Sequence, residues 1–598
     1  MSESSTERSL EELVRGYALL NAVEHGGKAA VGPVMGKIMA ERPDLRPRAR
    51  EVAALARRIV EEVNKLSPGE QRRLLEESYS WVLEKRKSGK SVEEKQLPPL
   101  PGAVEGRVVT RFAPNPDFVI HLGNARPALL SYLYREMYRG RMVLRFEDTD
   151  PRTKTPLPEA YKLIRDDLHW LGVKWDKEYV QSMRMKIYYD LAGRLIEAGG
   201  AYVDDLPGEE FRRYRRAGRL AEYPPRTRSP EENLELWERM LRGDYGEGEA
   251  VLRVKTDPRH PDPSVRDWVA FRIIDTSRYP HPVVGDEYTV WPTYNFAAAV
   301  DDHLMGVTHI LRAKEHMQNT VKQQFLYRYF GWEYPHVIHF GRLKLEDFIM
   351  SKSLLKSLLE RGIGRGIDDP RFATIAGLRR RGITAEAIRE IIVSVGVKYT
   401  DASISFKNLA AVNRSIVDNK AKRIMAVFNP VRLVVEAVPW DSLEVEIPFH
   451  PNGRLGSRKI RLKAKNSTLE LLIDGGDAAR LARQGRLIRL MEAFNVEIVE
   501  AGEEGLRGRY HSRGLEEARR AGAPIVQWVP AEGSLAAELL KPEGLDLLQL
   551  RGRVEPAAAG LESGEIVQLV RVGFARVEAV EPDEKGEPRK LVAVFAHS

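Results

Sequence analysis

The sequence predicts a multidomain α/β plus all-β protein: a doubly wound, Rossmann-like parallel sheet, a helical extension before it, and two β-barrels after it. Three observations carry this. From Arg107 onward, strand-like apolar runs (Val108–Phe112, Met142–Phe146, Thr308–Arg312, His336–Phe340) alternate with helical patterns, as in a sheet with helices on both faces. Beyond Ala426 the pattern becomes short alternating strands separated by Gly, Pro and Asn, including Arg432–Val438, Arg458–Leu462, Glu565–Val572 and Lys590–Ala596. With 598 residues the chain exceeds what one core buries, so about three to five domains are expected.

Taken in order, residues 1–86 read as a helical extension, with apolar and charged positions at helical spacing from residue 9. Ser67-Pro-Gly-Glu70 predicts a capping box with Pro at the first helical position. Gly26-Gly-Lys28 and Gly32-Pro33 predict a break between two helical halves. Residues 87–106, charged and then rich in Pro and Gly, predict a semi-rigid linker. The sheet domain is expected over 107–181 and 291–340, interrupted at 182–290 by a stretch rich in Pro, Arg and acidic residues. Residues 341–425 turn helical, with Thr384–Ile392 apolar at i, i+3, i+4, and 426–598 hold the barrels.

Composition narrows the function classes. Zero cysteines exclude disulfides, thiol catalysis and any Cys-ligated zinc site. No apolar run approaches the roughly 20 residues that span a bilayer, and the polar start Met1-Ser-Glu-Ser-Ser-Thr-Glu7 lacks a signal peptide's apolar core, so a cytoplasmic protein is expected. Lys and Arg exceed Asp and Glu by 94 to 86. Clusters at Arg212–Arg216, Arg379–Arg381 and Arg454–Lys465 would supply phosphate contacts along a long ligand.

Two separated segments carry the chemistry. Ala113-Pro-Asn-Pro-Asp117 runs into His121-Leu-Gly-Asn124, between the strand-like Arg107–Phe112 and the helix-like Ala125–Met137. A helix that opens there offers free N–H groups and its positive dipole end to an anion, and Gly123 has no Cβ to obstruct a nucleotide. Far downstream, Met350-Ser-Lys-Ser353 supplies a cation, Lys352, between the hydroxyls of Ser351 and Ser353, which suits charge on a phosphoryl group.

These residues resemble the signatures of class I aminoacyl-tRNA synthetases: His121–Asn124 is similar to H-I-G-H, and Ile349–Ser353 to K-M-S-K-S. Within that class the chain resembles the archaeal-type glutamyl-tRNA synthetases, through Arg111-Phe-Ala-Pro-Asn-Pro116, Leu144-Arg-Phe-Glu-Asp-Thr-Asp-Pro151, Tyr294-Asn-Phe296 and Val300–Arg312. Three positions depart from the pattern: Asn124 in place of His, Ile349 in place of Lys, and Phe118 where many relatives have Gly.

The resemblance implies an ATP site formed by Pro114, His121, Gly123, Asn124, Ser351 and Lys352, with His121, Asn124 and Lys352 doing the electrostatic work. Mg²⁺ is expected because ATP carries it, and no protein metal site is assigned. For L-glutamate it implies Arg111, Ala113, Glu147, Tyr294 and Arg312. The two guanidinium forks would face two carboxylates, with Arg111 favoured for the γ-carboxylate, and Glu147 would accept from the ammonium group. Asp148, Asp150, Asp301 and Asp302 are expected to be structural. The resemblance further implies an acceptor-end-binding insertion at 182–290, a helical stem-contact region at 341–425 and anticodon-binding barrels. The partners implied are tRNA(Glu) and possibly tRNA(Gln), and the protein is expected to be a monomer. A glutaminyl enzyme would place Asp at Glu147 and a small neutral residue at Arg312. A small-molecule nucleotidyltransferase is disfavoured by the barrels and the insertion. A non-catalytic RNA-binding relative is disfavoured by the presence of His121 and Lys352.

Overall fold

Five short parallel strands organise the part of the chain that holds both signature segments. In the computed structural model, β1 (Val109–Phe112) pairs with β2 (Arg141–Phe146), and β2 with β3 (Lys177–Val180). β4 (His309–Ala313) pairs with β5 (His336–Phe340). The two ladders meet at Thr308, whose N–H donates to the Val109 carbonyl at 2.9 Å while its hydroxyl accepts from the Val109 N–H at 2.8 Å. Strand order is therefore β3-β2-β1-β4-β5. It reverses between β1 and β4, the switch point where ligands of open α/β sheets sit.

The wholly buried β1 and the almost wholly buried β2 fit a sheet covered on both faces. Helix α1 (Leu122–Met137) returns from β1 and buries Leu122, Ala125, Ala128, Leu129 and Leu130 in the central core. Between β3 and β4 the chain builds an antiparallel four-stranded sheet from Ala201–Asp204, Val251–Val254, Val269–Ile273 and Val290–Pro292. Its last strand straddles the expected boundary at 290. Helix α2 (Tyr294–Leu304) then leads into β4.

The segment expected to be helical from 341 is not wholly so. Leu343–Leu345 pairs in parallel with Ala402–Ile404, bracketing α3 (Lys352–Glu360), α4 (Ile375–Arg380) and the Ala385–Val395 helix. The three-residue strands are too short for a periodicity reading.

Two nearly closed barrels follow. One seven-stranded sheet begins and ends on Ile525–Val526 and Trp528–Pro530, and the other on Arg423–Ile424 and Ala426–Phe428. Each sheet thus turns both of its edges into one bent segment, broken only at Gln527 or Met425, which leaves little free edge for stray pairing. The first barrel (431–530) is inserted between the opening strands of the second and its remainder (535–597).

The structure describes residues 9–24, 26–82, 97–484, 487–502 and 505–598. Residues 1–8 and 83–86 of the expected helical extension and residues 87–96 of the expected linker lie outside this set. The chain divides into two compact units, Met1–Gln96 and Leu97–Ser598. Within the first, helices cover Leu10–Glu24, Val31–Glu41, Ala49–Asn64 and Pro68–Glu77 around a core that includes Val14, Leu19, Ile59 and Val63. The Ser67/Glu70 capping box is present with Pro68 at the helix start. Gly32-Pro33 does not break a helix: it lies in the first turn of Val31–Glu41, where the missing proline N–H would have had no intrahelical partner.

Candidate active site

The cavity at the switch point has a volume of about 590 Å³ and is lined by all eleven residues expected to bind or act: Arg111, Ala113, Pro114, His121, Gly123, Asn124, Glu147, Tyr294, Arg312, Ser351 and Lys352. They come from the ends of β1, β2 and β4, the starts of α1 and α2, and the loop before α3. Two chemically different ends result.

At one end, α1 presents its N-terminus. His121 is the N-cap, and its Nδ1 accepts from the Gly123 N–H at 3.0 Å. Nδ1 therefore carries no proton in the neutral ring, and Nε2–H is left as a donor. Burial, assisted by the charge of Lys352, pushes the ring's pKa down to about 4, so this neutral form holds at physiological pH. Asn124 spends its side-chain oxygen on the His121 N–H at 3.4 Å and keeps its amide NH₂ as a donor. The turn is pinned from outside: Leu122 N–H donates to the Ala373 carbonyl and Ile375 N–H to that of Ile120. Ser351 caps α3 and places Lys352 at its first position, where the ammonium pairs with Asp117. The helix dipole would disfavour a lysine there unless an anion compensated it.

The other end is a set of buried charges. Arg145, fully buried, donates through Nη1 to Asp302 Oδ1 at 2.8 Å and through Nη2 to Glu147 Oε1 at 2.9 Å. Arg111 Nε reaches the same Asp302 oxygen at 3.3 Å. Arg312 donates to Thr320 at 2.8 Å, to Gln323 and Tyr334 at 3.1 Å, and to the Tyr294 hydroxyl at 3.4 Å, all of them neutral groups. Burial works against the Asp302 carboxylate, yet Arg145 and Arg111 outweigh it and hold its pKa below the usual range. Burial wins at Glu147, whose carboxyl is pushed up despite Arg145. Arg111 Nη2 and Arg312 Nε are buried and find no hydrogen-bond partner among the described residues. Three arginines against two carboxylates leave one positive charge unmatched in a setting where an unpaired ion is costly.

Asp148, Asp150 and Asp301 hold structure. Asp148 accepts from Tyr161, Ser182 N–H and the Ser182 hydroxyl; Asp301 accepts from Tyr188, Gln181 and Arg184; Asp150 pairs with Arg272. Pro114, expected beside ATP, also joins the two ends, because its carbonyl accepts the Glu147 N–H at 3.0 Å. Sequence reasoning gave no role to Arg145, His316, Asp117 or Arg126. Arg126 lies fully buried in α1, donates to the carbonyls of Gly341 at 2.6 Å and Gly396 at 2.7 Å, and fixes the cavity's far wall. Its signal was an arginine on the apolar face of the helix.

The family model described as tRNA synthetases class I (E and Q), catalytic domain, matches residues 107–419. The chain belongs to the class I E and Q tRNA synthetases. Two further models of these synthetases, both described as anti-codon binding domain, match 421–511 and 525–578, the two barrels. This synthetase is 70% identical over 580 residues to the glutamate–tRNA ligase of Hyperthermus butylicus, covering 97% of this chain and 100% of that one. It is 54% identical over 577 residues to that of Aeropyrum pernix, covering 96% and 97%. A solved glutamate tRNA ligase from Elizabethkingia meningosepticum, in complex with its amino acid, aligns with a TM-score of 0.39 at 23% identity, over 53% of this chain and 70% of that one.

Proposed function

We propose that this synthetase ligates L-glutamate to the 3′ end of tRNA(Glu) at the expense of ATP, through a glutamyl-adenylate. The observation that carries the reading is the unmatched positive charge at the arginine end of the cavity. Glutamate, with two carboxylates and one ammonium, brings one net negative charge and completes the set. Glutamine is neutral and would leave a buried cation unpaired. Arg111 and Arg312 take the two carboxylates, with Arg111 on the γ-carboxylate, Glu147 accepts from the ammonium and Tyr294 walls the pocket.

At the other end the α1 N–H groups, the Nε2–H of His121, the Asn124 amide and Lys352 hold the phosphates. The glutamate α-carboxylate attacks the α-phosphate, and pyrophosphate leaves. The terminal ribose hydroxyl of tRNA then takes the acyl group from the adenylate. Catalysis lies mainly in bringing two anions together and neutralising them, since the first step moves no proton. Mg²⁺ would enter on the triphosphate. The carboxylate there, Asp117, is taken up by Lys352 and the other groups are N–H and hydroxyl donors, so phosphate oxygens and water would be its ligands.

The 182–290 insertion would grip the acceptor end, and the barrels would read the anticodon. The enzyme is read as a cytoplasmic monomer that needs bound tRNA to activate glutamate and that also charges tRNA(Gln). The test is aminoacylation with labelled glutamate and, separately, labelled glutamine on both tRNAs. Glutamate on both is the expected result, with no pyrophosphate exchange when tRNA is omitted. Glutamine charging would overturn the charge argument, and strict rejection of tRNA(Gln) at saturating enzyme would remove the relaxed tRNA choice.

A further inference from the structure

Phe118 departs from the family pattern, and it lies beside the only acidic residue of its turn, Asp117. Asp117 meets the second signature segment at Lys352, and Phe118 meets the helix that this segment opens. Phe118 and Val119 are buried with Leu355, Leu358 and Phe372 in a small apolar cluster separate from the central core. Leu355 and Leu358 belong to α3, so the ring grips the helix that Lys352 opens. Lys356 Nζ stands 6.0 Å from the centre of the Phe118 ring. Asp117, whose side chain is 12% exposed, pairs with Lys352. Asp117 itself is fixed by its N–H, which donates to Asn115 Oδ1 at 3.0 Å.

The loop before α3 is held at three more points. Met350 Sδ accepts the Leu345 N–H at 3.1 Å, the Met350 methyl lies 3.3 Å from where a Cβ on Gly123 would stand, and Ile349 bridges to Phe372. The pair with Asp117 therefore sets the ammonium at the phosphate end of the cavity. Burial, Lys356 and Lys154 all work against its charge, and Asp117 alone supports it.

We propose that Asp117 is a positioning residue for the adenylation step: it takes one of the three Lys352 N–H bonds and so holds the ammonium beside His121, leaving two for the triphosphate, while Phe118 anchors α3. The inference rests on the reading of this cavity as an ATP site. A lysine side chain loses much rotamer freedom when it is fixed, and a carboxylate that fixes it before the nucleotide arrives removes that cost from the binding step. A single carboxylate against a part-exposed ammonium is too weak to withhold the lysine from a triphosphate. Asp117 therefore helps ATP instead of competing with it.

The test uses the full-length enzyme with the isosteric Asp117→Asn and, as a second variant, Phe118→Gly. Steady-state aminoacylation gives KM for ATP, KM for glutamate and kcat, and hydrogen–deuterium exchange of peptides covering residues 347–358 gives loop order without any turnover. In Asp117→Asn the KM for ATP is expected to rise about tenfold with the KM for glutamate within about twofold of the parent, in keeping with loss of one charge-assisted hydrogen bond. Exchange in 347–358 is expected to quicken without ATP and to match the parent at saturating ATP. Phe118→Gly is expected to quicken the same peptides and to raise the KM for ATP. An ATP KM and an exchange pattern equal to the parent's in both variants would overturn the proposal. A lower ATP KM would also overturn it, because Asp117 would then be withholding Lys352. A parent enzyme that fails to charge glutamate would instead overturn the reading of the site, and the exchange data would still decide whether Asp117 orders the loop.

Discussion

The proposed choice of glutamate turns on one side chain, Arg312. Its guanidinium is buried among neutral partners and meets no anion of its own among the described residues, whereas Arg145 and Arg111 share Asp302. Arg312→Gln should retain the hydrogen bonds to Thr320 and Tyr334 in part and remove the charge. We expect kcat/KM for glutamate to fall by about a hundredfold or more, the cost of losing one partner of a buried charge pair, and kcat/KM for glutamine to fall far less. Aminoacylation kinetics with both amino acids check this. Titration is legible at the same scale. His121 and His316 are pushed down to about 4, His316 by burial and by Arg312 and Arg111, and His281, His303, His309, His339 and His597 are also lowered by burial. Between about pH 6.5 and 4 the unfolded chain therefore binds protons at these rings that the native protein does not, and their contribution to stability falls as pH falls through that window, while Asp167, pushed up to about 7 by burial, acts in the opposite sense. Titration of the ring protons by NMR should place each of these histidines below the ordinary imidazole value of about 6.5, and values at or above it would contradict the burial of these rings.

At the scale of elements, the start of α1 is a tight constraint. A Cβ on Gly123 would stand 2.8 Å from His121 Cε1 and 3.3 Å from Met350 Cε, so Gly123→Ala must displace the ring that caps the helix and press on the Met350 methyl. The substitution favours the helix as such, since alanine has the higher propensity. Stability is therefore expected to hold while KM for ATP rises at least about tenfold, a split that thermal melts and steady-state kinetics separate. The strand, turn and helix around this glycine were legible from local pattern, because β1, His121–Asn124 and α1 are contiguous in sequence. The Leu343–Leu345 and Ala402–Ile404 pair was not, because each strand is three residues long and its partner lies more than fifty positions away. Arg145 was equally hidden. An arginine in a strand reads as solvent-facing, and only the meeting of β2 with α2 supplies Asp302 to bury it. The basic clusters are in part spent within the protein. Arg380 pairs with Glu578, Arg381 is buried and reaches the Ala596 carbonyl, Arg458 is buried against Glu555, and Arg212, Arg213 and Arg216 pair with Glu209 or Glu210. In the Ser457–Lys463 strand the buried and exposed positions alternate, so Lys459, Arg461 and Lys463 face outward while Arg458 does not.

The whole molecule combines two electrostatic regimes that salt should separate. Around the amino-acid end Arg145 and Arg111 share Asp302, Arg145 also meets Glu147, and Arg312, without an anion among the described residues, is buried like them, where mobile ions screen little. The net charge of +8 is instead expressed by exposed side chains such as Lys459, Arg461 and Lys463 on the first barrel. A tRNA that runs from the 182–290 insertion to the barrels would release counterions at each phosphate these side chains neutralise, and affinity would then fall linearly in log–log form with salt. With about six such contacts, Kd for tRNA should weaken by about a thousandfold between 50 and 200 mM KCl. KM for glutamate, measured at saturating tRNA at each salt concentration, should stay within about twofold, because the arginines of that site are buried, where mobile ions screen little. Filter binding gives the first quantity and aminoacylation the second. Parallel weakening of both would mean that the arginine end of the cavity is open to the ionic atmosphere, and the charge argument for glutamate over glutamine would lose its basis. A salt-independent tRNA Kd would mean that the exposed basic side chains of the barrel do not lie along the RNA.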